Sequence, residues 1–183
     1  MFIGIISYFV LLMKEIKEVQ MENNLVIEKM SQTDSLEIAD KWKYPAPYNF
    51  YDMTEDLEDY EEIISSTKRG NHYFSMKQNG VLVGFLSVYP CENNQKEIEF
   101  GIGLRPDLTG KGNGKAYTEL ALSYIEQKLA PDRIWLSVAE FNKRAIKVYE
   151  RIGFKEEYKK MQKTNDSEFK FVVMTKLIKG IHE

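Results

Sequence analysis

The residues with the clearest chemical potential form one loop between a predicted strand and a long predicted helix, Thr109-Gly110-Lys111-Gly112-Asn113-Gly114-Lys115. Glycines at alternate positions leave the backbone open to a ligand and permit positive φ angles. The first N–H groups of a helix lack intrahelical partners and lie at the positive end of the helix dipole. This segment, called the glycine loop from here on, therefore predicts binding of a phosphate-bearing cofactor. A loop that only begins a helix is the alternative.

Two common phosphate-binding patterns do not fit the glycine loop. A P-loop would need glycine at position 109 and Ser or Thr after the lysine, but the chain has Thr109 and Ala116 there. A dinucleotide fingerprint needs a third glycine three residues after Gly-x-Gly, and neither Gly101-Ile102-Gly103 nor Gly110-Lys111-Gly112 has one. The glycine loop is therefore neither a P-loop nor a dinucleotide fingerprint.

Two segments together resemble the GNAT superfamily of acetyl-CoA-dependent N-acetyltransferases. The family's first pattern is a strand ending in apolar-x-Pro, then R/Q-x-x-G-x-G/A opening a helix. Leu104-Arg105-Pro106 and the glycine loop match it, with Thr109 in place of the usual Arg or Gln. The second pattern is N-x-x-A…Y-x-x-x-G-F, and its matching residues are Asn142, Ala145, Tyr149, Gly153 and Phe154. The resemblance covers roughly residues 25 to 176.

The resemblance implies acetyl-CoA as co-substrate and assigns parts of the chain to it. The amides of Gly110 to Lys115 would hold the pyrophosphate. The strand residues Ile102, Gly103 and Leu104 would pair their backbone with the pantetheine arm, where two neighbouring parallel strands splay apart. Glycine in a strand marks either such a close approach or a bulge. Asn142 would bond the pantetheine arm, although an Asn before a helix is equally a good N-cap.

The implied reaction, attack of an amine on a thioester, needs one group to remove a proton from the amine and another to protonate the sulfur. Tyr149 stands where the family keeps its general acid; a helix aromatic packed on the sheet is the alternative. Glu97 and Glu99 lie on one face of the strand that leads to the cofactor, and Glu99 is preferred as the base because it is nearer the splay. Ordinary solvated acids are the alternative. Cys91 has no paired base, which favours direct transfer in a ternary complex over an acyl-cysteine.

The elements that must position these residues follow the order β α α β β β α β α β β. Asn79-Gly80 is a strong hairpin signal between two strands. Helices are expected from Thr54, over Gly112 to Ala130, and from Asn142 to Ile152, where Gly153 ends the last. The prediction is one α/β domain with a GNAT-like fold, in which a mixed, mostly antiparallel sheet of six to seven strands carries helices on both faces.

The acceptor is expected to be an amine on a small molecule or a peptide. In the family, the region between the first strand and the hairpin shapes the acceptor pocket. Here an acidic helix follows the aromatic residues Trp42, Tyr44, Tyr48, Phe50 and Tyr51. Aromatic walls and acidic charge suit a cationic amine; a solvated acidic helix face is the alternative. The second hypothesis for the whole chain is a non-catalytic acyl-CoA-binding module of the same fold.

Length and composition set the remaining expectations. Of the 183 residues, 22–180 suit one N-acetyltransferase domain, and the apolar residues 1–21 are an extra helix, a partner or membrane-surface anchor, or a start codon assigned too early. The apolar run is too short for stable membrane insertion. A net charge of -3 argues against a nucleic-acid partner. One cysteine suits the cytoplasm, and two distant histidines, His72 and His182, offer no metal site. Both monomer and homodimer fit.

Overall fold

The computed structural model describes residues 25–165 and 167–178, so the prediction about residues 1–21 lies outside the described residues. Seven strands form one sheet in the order β1-β2-β3-β4-β5-β7-β6. The strands are β1 Leu25–Lys29, β2 Tyr73–Gln78, β3 Val81–Cys91, β4 Asn94–Leu104, β5 Arg133–Ala139, β6 Lys155–Thr164 and β7 Ser167–Leu177. The helices are α1 Gln32–Lys41, α2 Leu57–Ile64, α3 Ser66–Arg69, α4 Gly114–Leu129 and α5 Lys143–Arg151.

The sheet is antiparallel at every pairing except one. β4 and β5 run parallel and pair over only three positions, from Glu97 with Arg133 to Glu99 with Trp135. β4 then continues to Leu104 and β5 to Ala139 without further pairing between them. The sheet therefore opens between the carboxyl halves of these two strands, and the opening is bounded by backbone on both sides.

The core is divided between the two faces of the sheet. Tyr117, Ala121, Leu122 and Ile125 of α4 are buried in a cluster with strand residues of one face. On the other face, Ile38 and Ala39 of α1 and Ile63 of α2 form a second cluster. Helices thus cover both faces, which confirms the predicted fold class. No helix in the described part of the chain combines the length and the apolar character needed to cross a membrane.

The chain turns at the positions where its asparagine and glycine residues predicted a turn or a helix end. Asn79 and Gly80 have φ angles of 52° and 76° and join β2 to β3, the double positive φ that a type I′ hairpin turn requires. Gly153, with φ 97°, follows α5. Because both positions favour residues that accept the left-handed region, local sequence was enough to predict them.

Several helix boundaries differ from the predicted ones, each for a local reason. The second helix begins at Leu57 and not at Thr54, because the Asp56 carboxylate accepts hydrogen bonds from the first free N–H groups; Met53–Glu55 form a 3₁₀ turn before it. Helix α4 begins at Gly114 and not at Gly112, since φ at Gly112 is 83°, outside the range of a right-handed helix. The short helix Ser66–Arg69 was not predicted; Ser65 caps it.

Candidate active site

A cavity of about 580 Å³ lies between the separated ends of β4 and β5. Gly101, Ile102, Gly103 and Leu104 line one side of it, and residues 136–138 of β5 line the other. The glycine loop and α5 also contribute to its wall. We call this cavity the splay cleft.

The backbone groups of Ile102 and Leu104 point into the splay cleft. Arg105 N–H donates to Val83 O of β3 at 2.9 Å, and hydrogen-bonded pairs alternate along an antiparallel ladder. The odd-numbered residue Arg105 thus bonds to β3. On the other side of β4, Asp132 N–H donates to Lys96 O at 2.7 Å, so an even-numbered residue bonds towards β5. Even-numbered residues of β4 therefore face β5, and beyond residue 99 no β5 residue pairs with them. Leu104 O accepts a hydrogen bond from the Tyr44 hydroxyl at 2.8 Å, so Ile102 keeps both of its backbone groups for a ligand.

The glycine loop presents helix N–H groups to open space. Gly110 and Gly112 have φ angles of 70° and 83°, and a Cβ added to Gly112 would meet no atom within 4 Å. Asn113 precedes α4 but makes no capping hydrogen bond with its side chain, because its amide donates to Leu108 O at 3.0 Å. Thr109 Oγ1 likewise donates within the loop, to Pro106 O at 2.8 Å. The first N–H groups of α4 are thus free of side-chain caps, as an anion site needs.

Positive charge surrounds this end of the splay cleft. Lys115 lines it, whereas Lys111 and Asn113 do not. Arg144, in the first turn of α5, also lines it, and a Cβ on Gly110 would lie 3.0 Å from its Nη1. The Arg144 guanidinium stacks 3.6 Å from the ring centroid of Tyr48. Loop and cations together fit a pyrophosphate. Sequence reasoning passed over Arg144, although it stands two residues after Asn142 inside the second family pattern.

Gly101 and Gly103 serve packing across β3 and β4. Each is opposite a β3 side chain in the register, Ser87 and Phe85 respectively. A Cβ at Gly101 would lie 2.3 Å from Ser87 Oγ, and one at Gly103 would lie 2.1 Å from Phe85 Cε1. The register is regular here; the shift in this pair of strands occurs at Pro90 and Cys91. The two glycines therefore make room for Phe85 and Ser87, which line the splay cleft, and they do not mark a bulge.

Tyr149 lines the splay cleft from α5. Its ring packs 5.9 Å from that of Phe154, and among the described residues its hydroxyl makes no hydrogen bond. Burial raises the pKa of the Tyr149 phenol, and the nearby Tyr51 adds to this rise. The phenol is thus protonated through the neutral range and free to donate into the cleft.

Asn142 caps α5 and also contacts the aromatic segment, the stretch that holds Trp42, Tyr44, Tyr48, Phe50 and Tyr51. Its side-chain oxygen accepts from Ala145 N at 3.1 Å, and its amide donates to the Tyr51 hydroxyl at 3.1 Å. The predicted N-cap is therefore present, and the second amide hydrogen is what Asn142 retains for a ligand.

The two predicted carboxylates of β4 differ in place. Glu97 does not line the splay cleft. It accepts a hydrogen bond from Trp135 Nε1 at 2.6 Å and another from Asn94. Glu99 lines a second cavity, described next. Strand alternation predicted that both lie on one face, and the sequence favoured Glu99 only because it is nearer the splay.

A second cavity of about 410 Å³ adjoins the splay cleft and shares seven lining residues with it, which are Met53, Asp59, Phe85, Ser87, Phe100, Gly101 and Ser137. Its lining holds three carboxylates, Asp59, Glu62 and Glu99, so we call it the acidic chamber. Glu62 accepts hydrogen bonds from the Tyr89 hydroxyl at 2.5 Å and the Tyr73 hydroxyl at 3.3 Å. Within the described residues none of the three forms a salt bridge. The sequence indicates that this helix is acidic, but its spacing does not show which side chains face inward.

The aromatic segment covers the splay cleft, with one exception. Tyr44, Tyr48, Phe50 and Tyr51 line it. Trp42, expected in the acceptor pocket, is instead 4% exposed and packs in the core beneath α1 and α2. Trp42 directly follows α1, and its side chain lies on the same side as the buried residues Ile38 and Ala39 of that helix.

Comparison with known proteins identifies the family. The model of the acetyltransferase (GNAT) family matches residues 34–154, and this chain belongs to that family. Among curated relatives, a mycothiol acetyltransferase of Streptomyces coelicolor is 37% identical over 83 residues, 45% of this chain and 26% of the relative. A spermidine N(1)-acetyltransferase of Vibrio cholerae is 29% identical over 114 residues, 62% of this chain and 64% of the relative. The chain thus spans about a quarter of the first relative's length and under two thirds of the second's.

The fold has counterparts among solved structures. The protein yncA of Salmonella typhimurium, solved with its cofactor acetyl-CoA, superposes with a TM-score of 0.60 at 13% identity, covering 87% of this chain and 97% of that one. The resemblance drawn from the two motifs is therefore confirmed at the level of family and fold.

Proposed function

We propose that this protein transfers an acetyl group from acetyl-CoA to a primary amine by direct transfer in a ternary complex. One observation carries the proposal: the splay cleft, which the glycine loop lines, adjoins a second cavity that is lined by carboxylates. The splay cleft and the acidic chamber meet at seven shared residues, where the two substrates would come together.

The cofactor half of the site rests on backbone groups and cations of this chain. The uncapped N–H groups of α4, with Lys115 and Arg144 beside them, would hold the pyrophosphate. The free backbone groups of Ile102 would pair with the pantetheine arm. Acetyl-CoA supplies the acyl group: the thioester C–S bond breaks as the amide C–N bond forms.

Tyr149 is the proposed proton donor to the departing sulfur. It lines the splay cleft, and its raised pKa keeps the phenol protonated, so that a proton is in place to donate to the sulfur as the C–S bond breaks. An acyl-cysteine route has less support. Cys91 lines neither cavity, and burial, with Glu97 and Glu99, raises the pKa of its thiol, which disfavours the thiolate that such a route requires.

The acidic chamber supports a cationic amine as acceptor. Asp59, Glu62 and Glu99 supply negative charge, and the rings of Tyr73 and Tyr89 supply aromatic surface, a combination that binds ammonium groups. The spermidine acetyltransferase among the relatives acts on such a molecule. A polyamine is therefore the first acceptor to try. A non-catalytic acyl-CoA-binding module remains the second hypothesis, because the cofactor half alone would serve it.

The test combines binding with turnover. Thermal denaturation should show a higher melting temperature with millimolar acetyl-CoA and a much smaller change with ATP, since a ligand of the folded state stabilises by mass action. Release of free thiol from acetyl-CoA, followed with spermidine, a short peptide and a neutral control alcohol, should occur with an amine only. Binding without thiol release for every amine would favour the non-catalytic module. No response to acetyl-CoA would refute both.

A matched pair of glycine variants makes the binding test specific. Gly112 and Gly80 both have positive φ, and a Cβ added at either position would enter open space, but only Gly112 lines the splay cleft. Valine at either position strains the backbone similarly. Gly112→Val should raise the dissociation constant for acetyl-CoA at least tenfold, about 1.4 kcal/mol, whereas Gly80→Val should leave it within about twofold.

A further inference from the structure

We infer that Asp59, on α2, is the general base that removes the proton from the acceptor amine. The inference rests on the proposed function and names a catalytic residue that the sequence motifs did not indicate. Its basis is position: in the described part of the chain, Asp59 is the one carboxylate that lines both the splay cleft and the acidic chamber. A base must stand where acyl donor and amine meet, and the shared lining is that place.

Three of the other carboxylates that line the two cavities already accept hydrogen bonds from neighbouring groups. Asp52 accepts a hydrogen bond from Tyr44 N at 2.8 Å. Asp56 caps α2 and accepts from Thr164 Oγ1 at 2.7 Å; that bond, the largest influence, lowers its pKa. Glu62 is held by two tyrosine hydroxyls. Each of these three carboxylates already accepts at least one hydrogen bond within the protein.

Two carboxylates therefore remain, Asp59 and Glu99. Neither side chain accepts a hydrogen bond from the described residues. Glu99 lines the acidic chamber alone, so it faces the amine but not the splay cleft. Asp59 faces both. On geometry Glu99 is suited to attract the cation, and Asp59 is suited to take its proton.

The surroundings of Asp59 tune it for this task. Solvent reaches the side chain, but desolvation by the protein around it raises its pKa to about 6, with further rises from Asp56, Glu62 and Glu58. Glu99 from β4, Tyr73 from β2 and Tyr89 from β3 line the same chamber. The cations of the splay cleft, Lys115, Arg144 and Arg151, do not contribute to the shift. A carboxylate with a raised pKa is a stronger base and is still ionised at neutral pH.

The proton balance is complete with residues of this chain. The amine enters as an ammonium ion, the form that the acidic chamber binds, and Asp59 Oδ takes one proton and later releases it to solvent. The amine lone pair then forms the C–N bond as the C–S bond breaks. The sulfur takes the phenolic proton of Tyr149, and the second proton lost by the nitrogen returns to Tyr149. The products are the acetamide, coenzyme A as the thiol, and one proton.

The test is the pH dependence of kcat/KM with the best amine of the acceptor panel. Wild type should show an ascending limb with an apparent pKa of about 6, well below the pKa of a free alkyl ammonium ion, about 10. Asp59→Asn should lower kcat/KM at neutral pH by about 10²-fold or more, remove that limb, and change acetyl-CoA affinity by less than about threefold. Asp59→Glu should restore the limb.

Two control variants distinguish the loss of a general base at Asp59 from the loss of a nearby negative charge. Glu58→Gln, the preceding residue on α2 but outside both cavities, should keep the limb and the rate within about threefold. Glu99→Gln should raise KM for a cationic amine and keep the limb. If Glu99→Gln abolishes the limb, or if Asp59→Asn keeps it, Asp59 is not the base although the transferase function stands. If wild type acetylates no amine, the function and this inference fail together.

Folding is not expected to obscure the result. Because the folded-state pKa of Asp59 lies above its unfolded value, its ionisation opposes folding as pH rises through about 6. Asp59→Asn should therefore melt at the same temperature as wild type or higher at pH 8, while losing activity. A melting temperature lower than wild type at pH 8 would contradict the assigned surroundings of Asp59 and overturn the inference.

Discussion

Phe85 on β3 lies directly over Gly103 on β4, and a Cβ at position 103 would stand 2.1 Å from Phe85 Cε1. The two residues are paired across the antiparallel ladder. Both line the splay cleft, so the absent side chain at 103 decides where the Phe85 ring lies and how wide the cleft is.

Gly103→Ala should force the Phe85 ring out of its position. We expect the free energy of unfolding to fall by about 1–3 kcal/mol, the usual cost of overpacking, and acetyl-CoA affinity to fall with it. Urea denaturation measures the first effect and calorimetric titration the second. Adding Phe85→Leu should recover part of both, so the double-mutant cycle should give a coupling energy of at least about 0.5 kcal/mol. Additive effects would mean that the ring does not occupy this space.

Arg144 should recognise the phosphates of the cofactor and not its acyl arm. Arg144→Met removes the charge beside Gly110 while keeping a long side chain, and we expect the dissociation constant for acetyl-CoA to rise about tenfold, or 1.4 kcal/mol. Binding of S-acetyl-pantetheine, which lacks the pyrophosphate, should change by less than about twofold.

The matched control for Arg144 is Lys147→Met, an exposed position on the same helix outside both cavities. It should leave both ligands unaffected. Equal losses for the two ligands in Arg144→Met would point to a distorted α5 in place of a lost charge contact.

Tyr149→Phe removes one hydroxyl and keeps the packed ring. If the phenol protonates the leaving sulfur, kcat should fall by about 10²-fold or more with little change in acetyl-CoA affinity. Because burial raises the pKa of this phenol, the wild-type kcat should decline only at alkaline pH, and that decline should vanish in the variant. Turnover within about threefold of wild type would make Tyr149 a packing residue.

Stability at neutral pH should depend on Asp34 of α1, which is 8% exposed. It accepts a hydrogen bond from Ser75 Oγ at 2.8 Å and pairs with Lys77 Nζ at 3.0 Å. Burial alone would raise the pKa of Asp34, but the hydrogen bonds from Lys77, Ser75 and Ser31 outweigh it and lower the pKa. The ionised form is thus favoured by folding, and its contribution is present above the unfolded pKa, about 3.9, and lost as pH falls below it.

Asp34→Asn should therefore destabilise the protein at pH 7 by about 2 kcal/mol, and the difference from wild type should shrink as pH falls from 4 towards 2. Glu28→Gln is the matched control, since Glu28 binds the same Lys77 at 2.9 Å but is half-exposed; it should cost less than about 1 kcal/mol. Urea denaturation across this pH range decides the point. A difference that grows on acidification would contradict the assigned sign.

Much of this protein could be predicted from its sequence, because the deciding chemistry is local. Positive φ at Asn79 and Gly80, the cap at Asn142 and the stop at Gly153 depend on the residue itself and its immediate neighbours. The element order, apart from the short helix α3, followed from apolar periodicity and turn signals, and the two motifs together indicated the family.

The tertiary structure decided what depends on distance between segments far apart in the chain. The sequence favoured Glu99 over Glu97 as nearer the splay, but the strand pattern could not show that β4 and β5 stop pairing after Glu99, or that Glu97 accepts a hydrogen bond from Trp135 Nε1. Helix periodicity marked α2 as acidic but did not show that Asp59 lies at the junction of two cavities, because that requires α2 to meet β3, β4 and β5 there. Burial and neighbouring charge, which tune a side chain for chemistry, are properties of that assembled environment and are not encoded by any one segment.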